Sequence, residues 1–204
     1  MAAKKTEEFW KKQKNKDFSG EIRAKELLKA SKRYLKGKVL DVGAGSGALI
    51  RRIPDSAGID LVARPEVNVK KGSVTNLDFE DNSFDTVFAT EILEHLSDKD
   101  LRKATEELYR VLKPKGYLIV TTPYKENLEK ARVRCPHCKK KFHPKLHLQS
   151  FDEDLMKAAL RRFNIVKISR EIFGFSHYHP ILGLFKPLVK RVKKDKVLFA
   201  VAKK

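Results

Sequence analysis

The stretch VLDVGAGSG, residues 39–47, constrains the fold of this chain more than any other. Its apolar start predicts a β-strand, and glycines follow at positions 43, 45 and 47, with Asp41 two residues before the first of them. A strand, a glycine turn and a helix in succession point backbone N–H groups at a ligand, and the missing side chains allow a close approach. The stretch therefore predicts a βα unit with a ligand site at its turn.

Strand and helix patterns alternate along the rest of the chain. Apolar runs predict strands at 38–42, 56–62, 67–74, 83–90, 116–123, 164–172 and 196–204. Amphipathic spacing and capping residues predict helices at 6–16, 20–36, 47–53, 98–112 and 151–163. This alternation is typical of a three-layer α/β fold with a mostly parallel sheet.

The glycines alone leave two ligand classes open. Gly43, Gly45 and Ala48 satisfy the G-x-G-x-x-A pattern of dinucleotide-binding folds, and Asp60 follows at about the spacing expected for a ribose contact. The other class is a nucleoside cofactor bound through its amino-acid part. The order of the later motifs distinguishes the two.

VLDVGAGSG, GIDLV, GSVTNLDFEDNSFDTVFATEILEHL and VLKPKGYLIVTTP occur in that order between about residues 37 and 124. They resemble the successive motifs of class I S-adenosylmethionine-dependent methyltransferases, in particular a group of small enzymes that includes quinone and other small-molecule methyltransferases. The resemblance implies a Rossmann-like, doubly wound, seven-stranded mostly parallel sheet with its last strand antiparallel. It also implies one domain over residues 1–204, with the cofactor-binding half at 37–124.

The resemblance implies the cofactor contacts residue by residue. The loop of Gly43, Ala44, Gly45 and Gly47 would lie against the methionine part of S-adenosylmethionine, and Asp41 would hold its amino group.

In the same resemblance, Asp60 would accept both ribose hydroxyls, Ser73 and Val74 would border the adenine, and Glu91 would lie beside the cofactor. Ser73 departs from the pattern, since many relatives have aspartate at that position.

The charge distribution fits a cationic cofactor. The net charge of +19 divides into +8 over residues 1–38, −3 over 39–124 and +14 over 125–204. A sulfonium cation is favoured by an acidic pocket, whereas a dinucleotide pyrophosphate favours the opposite sign.

Methyl transfer from a sulfonium requires mainly alignment of the acceptor and exclusion of water. His95 either acts as a general base or packs against the turn that follows. Tyr124 either forms a wall of the acceptor pocket or packs in the core, and His177 and Tyr178 either reach over the site or are only loop residues.

The segment 125–150 predicts an insert with its own metal. Cys135, Cys138, His143 and His147 have the spacing C-x2-C-x4-H-x3-H and include the only cysteines of the chain, a set that suits structural zinc. The alternatives are a redox-active thiol pair, or inert cysteines with His147 contributing to the acceptor site. Lys139 stands where zinc knuckles usually have glycine.

The basic ends predict a polyanionic contact. Residues 1–36 are predicted to form basic helices and residues 173–195 a basic amphipathic lid, which suit RNA, an anionic membrane surface or only the covering of the pocket. We expect a small-molecule or lipid-like acceptor, with RNA as the alternative and a non-catalytic binding module as a further one. The absence of an apolar leader predicts a cytoplasmic protein.

Overall fold

A computed structural model describes residues 20–173 and 196–204 of the chain. The predicted helix 6–16 and most of the predicted lid, including His177 and Tyr178, lie outside the described residues. The helices are α1 (Gly20–Ser31), α2 (Asp98–Val111), α3 (Leu128–Ala131) and α4 (Glu153–Ala159). The strands are β1 (Val39–Val42), β2 (Ser56–Asp60), β3 (Val69–Lys71), β4 (Phe84–Thr90), β5 (Leu112–Pro123), β6 (Val133–Arg134), β7 (Lys141–Phe142), β8 (Asn164–Glu171) and β9 (Val197–Lys203).

The main sheet has seven strands in the order β3-β2-β1-β4-β5-β9-β8. Neighbouring strands from β3 to β5 are parallel, whereas β9 is antiparallel to both β5 and β8. The predicted seven-stranded, mostly parallel sheet with an antiparallel last strand is confirmed. Strands β6 and β7 form a separate two-stranded hairpin within the insert.

Helices cover both faces of this sheet. On one face, Ala24 and Leu27 of α1 pack with Phe88 and Phe199 of the sheet. On the other face, the buried side of α2 and Met156 of α4 pack with β4, β5 and β9. The four strand residues Val39–Val42 are all buried, as expected of a central strand covered on both faces.

One predicted helix is wrong. The segment 47–53 forms turns followed by a single 3-10 turn, Ile50–Arg52, instead of a full helix. The three alternating glycines before it place the backbone at positive φ, and Pro54 stops the chain from continuing. Among the described residues, no helix is long and apolar enough to cross a membrane.

Candidate functional site

The glycine loop follows β1 at the carboxyl edge of the sheet. Gly43, Gly45 and Gly47 have φ values of 71°, 51° and 73°, all in the left-handed region. The N–H groups of Gly43 and Ala44 donate to the carbonyl of Ile59 at 2.8 and 2.9 Å, which anchors the loop to β2.

Two glycines in this loop are needed for different reasons. A Cβ at position 43 would lie 2.3 Å from Ile92 Cδ1, so the loop packs directly on the turn after β4. A Cβ at position 45 would have no heavy atom nearer than 3.9 Å. A side chain at position 45 would therefore project into open space where a ligand can approach the backbone.

That open space is a cavity, open to solvent, between the loop, α1 and the ends of β4 and β5. Its lining includes five of the residues that the sequence suggests for the cofactor: Asp41, Gly43, Ala44, Gly45 and Glu91. Ligand sites in open α/β sheets lie at the carboxyl ends of the strands, where this cavity is found.

Asp41 is the buried acid of the cavity. Its side chain is 2% exposed, and Oδ1 has no hydrogen-bond partner in the part of the chain that the structure describes. Burial, and after it the charge of Asp60, raises the pKa of Asp41 to about 8. A buried acceptor without a donor costs free energy, and an ammonium group at this place would supply the donor. The free acceptor of Asp41 therefore fits the amino group of S-adenosylmethionine, which would donate to it.

Asp60 lies at the end of β2 and already accepts two backbone hydrogen bonds. Its Oδ2 accepts from Gly45 N at 3.0 Å, and its Oδ1 accepts from Val62 N at 2.9 Å. The carboxylate thus holds the glycine loop in position. Each oxygen has further lone pairs that can accept a hydroxyl group.

Glu91 occupies a strained position at the end of β4. Its φ is 54°, which is uncommon for a residue with a side chain, and its N–H donates to the carbonyl of Thr121 at 2.8 Å. Its carboxylate accepts from Thr121 Oγ1 at 2.9 Å and pairs with Arg23 of α1 at 3.2 Å. These contacts orient the carboxylate at the cavity wall.

Four of the suggested cofactor residues do not belong to the cavity lining, and Asp60 is one of them. Gly47 packs against Val67, and Val74 is part of the hydrophobic core. Ser73 Oγ lies 2.9 Å from Thr75 Oγ1, so its hydroxyl is engaged locally. An adenine contact by Ser73 and Val74 stays a prediction.

Arg23 and Phe173 line the cavity although the sequence did not single them out. Arg23 arrives on α1, and Phe173 follows β8 and packs edge-on against Phe199. Both reach the site through long-range packing. The only local signal is the clustering of aromatic residues at 173 and 175, which do not have a recognisable motif spacing.

Tyr124 lies away from this cavity. Its ring stacks beneath the guanidinium of Arg170 at 4.6 Å and contacts the core. Its hydroxyl hydrogen bond also lowers the pKa of Glu153, after the larger effects of the helix backbone and Arg170. Phe151 pairs with Tyr124 through an isolated bridge. A role for Tyr124 in the acceptor pocket stays a prediction.

The 3-10 turn Leu93–His95 carries two titratable side chains next to the site. Glu94 is 1% exposed, and burial raises its pKa well above the usual range, with the charge of Glu91 adding to the effect. Burial, and then the neighbouring His147, lowers the pKa of His95 to about 4. His95 does not line the cavity; its ring faces the insert and lies edge-on to His147.

The predicted four-ligand zinc site is not assembled. Cys135 and Cys138 lie at the tip of the β6–β7 hairpin, half-buried and exposed respectively. Among the described residues, the groups of three or more side chains that could hold a metal contain His143 and His147 but neither cysteine. The two thiols lie at the tip of the hairpin, whereas both imidazoles contact the carboxylate of Glu126.

The cysteine turn itself has the shape of a knuckle. Lys139 adopts φ 58°, the left-handed conformation for which glycine is usual, and its N–H donates to the carbonyl of Cys135 at 3.0 Å. The backbone N–H groups of Cys138 and His137 lower the pKa of the Cys135 thiol. This turn supplies two ligands, which is half of a tetrahedral zinc site.

Together, the sheet order, the glycine loop and the acid-lined cavity define a nucleoside-cofactor enzyme of the doubly wound class. A family model described as a methyltransferase domain matches residues 40–120. The chain belongs to the S-adenosylmethionine-dependent methyltransferases.

Two relatives resemble this chain over different lengths. The uncharacterized protein MJ0638 of Methanocaldococcus jannaschii is 30% identical over 192 residues, which cover 87% of this chain and 82% of that protein. The demethylmenaquinone methyltransferase of Paenarthrobacter aurescens is 38% identical over 97 residues, covering 41% of this chain and 37% of the relative. The match to this second relative therefore spans less than half of either chain.

A solved structure supports the fold. The S-adenosylmethionine-dependent methyltransferase of Methanosarcina mazei superposes with a TM-score of 0.63 at 20% identity, covering 86% of this chain and 96% of that one.

Proposed function

We propose that this methyltransferase binds S-adenosylmethionine in the cavity beside the glycine loop and methylates a small, largely apolar acceptor. The observation that carries the cofactor placement is Asp41, a buried carboxylate below the loop with one oxygen that lacks a donor. When bound, the cofactor supplies an electrophilic methyl group on a sulfonium with a good leaving group. The residues of the chain then have to bind, orient and keep water out.

Asp41 and Asp60 divide the binding of the cofactor between them. Asp41 would accept from the amino group, and Asp60 would accept from the ribose hydroxyls while it keeps the Gly45 N–H. The carboxylates of Asp60 and of Glu91, which Thr121 and Arg23 fix at the cavity wall, favour a sulfonium cation nearby.

The lining on the α1 side supports an apolar acceptor. Ala24, Leu27, Leu49 and Phe173 contribute apolar side chains to the lining, beside Arg23 of α1. Apolar walls with few polar groups are typical of small-molecule sites. The demethylmenaquinone methyltransferase relative bears the name of a quinone acceptor, so a lipid-like quinone is a reasonable first compound to test.

Transfer of labelled methyl groups tests this proposal. The full chain is incubated with methyl-labelled S-adenosylmethionine and with separate lipid, small-molecule and RNA fractions of a cell extract. We expect label in the lipid or small-molecule fraction, reduced at least about tenfold by Asp41→Asn. Asp154→Asn is the matched control, because that carboxylate is 93% exposed and far from the cavity in sequence.

The outcomes separate the parts of the proposal. Label found only in RNA would overturn the acceptor class while leaving the reaction intact. Cofactor binding without transfer to any fraction would favour a binding module on a methyltransferase fold. Failure to bind the cofactor at all would refute the assignment of the cavity.

A further inference from the structure

A cluster of acids and imidazoles lies where the insert meets the turn after β4. Glu94 and His95 come from the 3-10 turn Leu93–His95, and His147 comes from the insert. One ligand atom from each of the three lies within 4.8 Å of the others. The His95 and His147 rings are 4.8 Å apart between centroids, at an interplanar angle of 71°.

The carboxylate of Glu94 lacks a hydrogen-bond partner among the described residues. Both of its carboxylate oxygens are buried, and neither has a hydrogen-bond partner within residues 20–173 and 196–204. Its backbone carbonyl is fixed, since it accepts from Leu148 N at 2.7 Å and Gln149 N at 3.0 Å. A buried carboxylate in this state requires either a proton or a cation.

The two imidazoles are already oriented by outer oxygen atoms. Glu126 Oε2 forms a short contact with Nδ1 of His147, which leaves Nε2 of that ring for another ligand. A ring N–H of His95 faces the backbone carbonyl of Leu146. Histidines that bind metals usually donate their second N–H to a carboxylate or carbonyl in this way.

His143 belongs to the support of this cluster. Its ring stacks on His147 with centroids 4.6 Å apart, and its Nε2 lies 3.4 Å from Glu126 Oε1. Backbone N–H groups of Lys145 and His147 point at Nδ1 of His143, at 3.3 and 3.2 Å. The ring proton of His143 therefore lies on Nε2, facing Glu126, and prevents this nitrogen from binding a metal.

We propose that Glu94, His95 and His147 bind one divalent transition-metal ion of the zinc type, with Glu126 as the outer carboxylate that orients His147. Two nitrogen ligands and one carboxylate suit zinc, cobalt or ferrous iron better than magnesium or calcium. The ion offsets the charge of the buried Glu94 carboxylate. The ligand set shares only His147 with the zinc site that the sequence spacing suggests.

The metal links the insert to the turn after β4, next to the cavity. Glu94 lies three residues beyond Glu91, and His147 lies on the far side of the hairpin that carries the cysteines. Ligation across these two segments fixes the insert at the edge of the cavity. This inference is independent of the acceptor and of methyl transfer.

Cobalt spectroscopy of the full chain tests the ligand set directly. The purified protein is stripped with chelator, dialysed and titrated with Co²⁺. We expect one equivalent to bind with visible d–d absorption and without a thiolate-to-cobalt charge-transfer band in the near ultraviolet. A strong thiolate band, or no binding by the wild-type protein, would overturn the proposal without the need for any variant.

Variants then assign the ligands. His147→Ala and Glu94→Gln should each abolish stoichiometric binding, and Glu126→Gln should weaken it by about 10- to 100-fold. The double variant Cys135→Ser and Cys138→Ser should bind Co²⁺ as the wild type does. Loss of binding in the cysteine variant, or unchanged binding in folded His147→Ala, would contradict the assignment. Far-ultraviolet circular dichroism identifies variants that fail to fold.

Discussion

The protonation of Asp41 gives the sharpest test of the cofactor site. Burial raises its pKa from 3.8 to about 8, so the folded protein holds this carboxyl group neutral at neutral pH. An ammonium group beside it favours the carboxylate instead. Binding of S-adenosylmethionine should therefore release a proton from Asp41.

The size of the effect follows from the pKa. While the pH is below about 8, forming the carboxylate costs about 1.4 kcal/mol for each pH unit. The affinity for S-adenosylmethionine should then rise by up to about tenfold between about pH 6 and about pH 7. The rise should level off near pH 8, where the cofactor's own amino group begins to lose its proton.

Titration calorimetry in two buffers with different ionisation enthalpies measures this proton release. We expect close to one proton released per cofactor near pH 6.5 for the wild type and for the exposed control Asp154→Asn. Asp41→Asn should release none and should have a nearly constant affinity over this range. Equal proton release by Asp41→Asn and the wild type would refute the reasoning.

The stability of the cofactor-free protein gives a second readout with a definite sign. Because the folded pKa of Asp41 is raised, its stabilising contribution is fully present below about pH 4 and is lost as the pH rises toward 8. Asp41→Asn cannot lose a proton. Its thermal midpoint should therefore fall less than that of the wild type between about pH 5 and about pH 8.

Other changes have simpler expectations. Asp60→Ala should weaken S-adenosylmethionine binding by about 1.5 to 3 kcal/mol, measured by calorimetry, and unchanged affinity would contradict its role. Gly43→Ala should lower the free energy of unfolding by about 1 to 2 kcal/mol, because position 43 has a φ of 71°. It should also weaken cofactor binding, because the added Cβ would clash with Ile92 and shift the loop. Wild-type values in both assays would refute the packing argument. Leu108→Ala, in the fully buried core, should lower the free energy of unfolding by about 2 to 5 kcal/mol in urea titrations. A loss below about 1 kcal/mol would mean that neighbouring side chains fill the cavity that the substitution leaves. If the basic ends contact RNA, its affinity should fall steeply from about 50 to about 200 mM salt, while binding to anionic vesicles alone would favour a membrane surface.

The local parts of the site could be read from the sequence. Strand patterns predict β1, which carries Asp41, and the strand that Glu91 follows. The glycine loop is predicted because few residues other than glycine adopt its backbone conformation. These features depend on neighbours along the chain. The predicted strand bounds accordingly lie close to those in the structure, except that β5 begins at Leu112 and runs through Pro114.

The rest depended on contacts between distant segments. The spacing of Cys135, Cys138, His143 and His147 suggested one metal site, but a hairpin separates the thiols from the imidazoles. Nothing in the local spacing revealed that Glu126, 21 residues before His147, would hold that ring. Arg23 and Phe173 reach the cavity by the same kind of long-range packing.

The position of β9 has a consequence for how the chain folds. Strand β9 follows β8 in sequence but lies between β5 and β8 in the sheet, and within the described residues β8 pairs with β9 alone. The residues of β8 therefore emerge from the ribosome before their partner exists. Until β9 pairs with β5, the backbone hydrogen-bonding groups at that edge of β5 are unpaired and β8 has no strand to pair with. Exposed strand edges of this kind are prone to pairing with the wrong segment. Completion of the sheet should be a late step, governed by the closure of a non-local contact between residues 112–123 and 197–203.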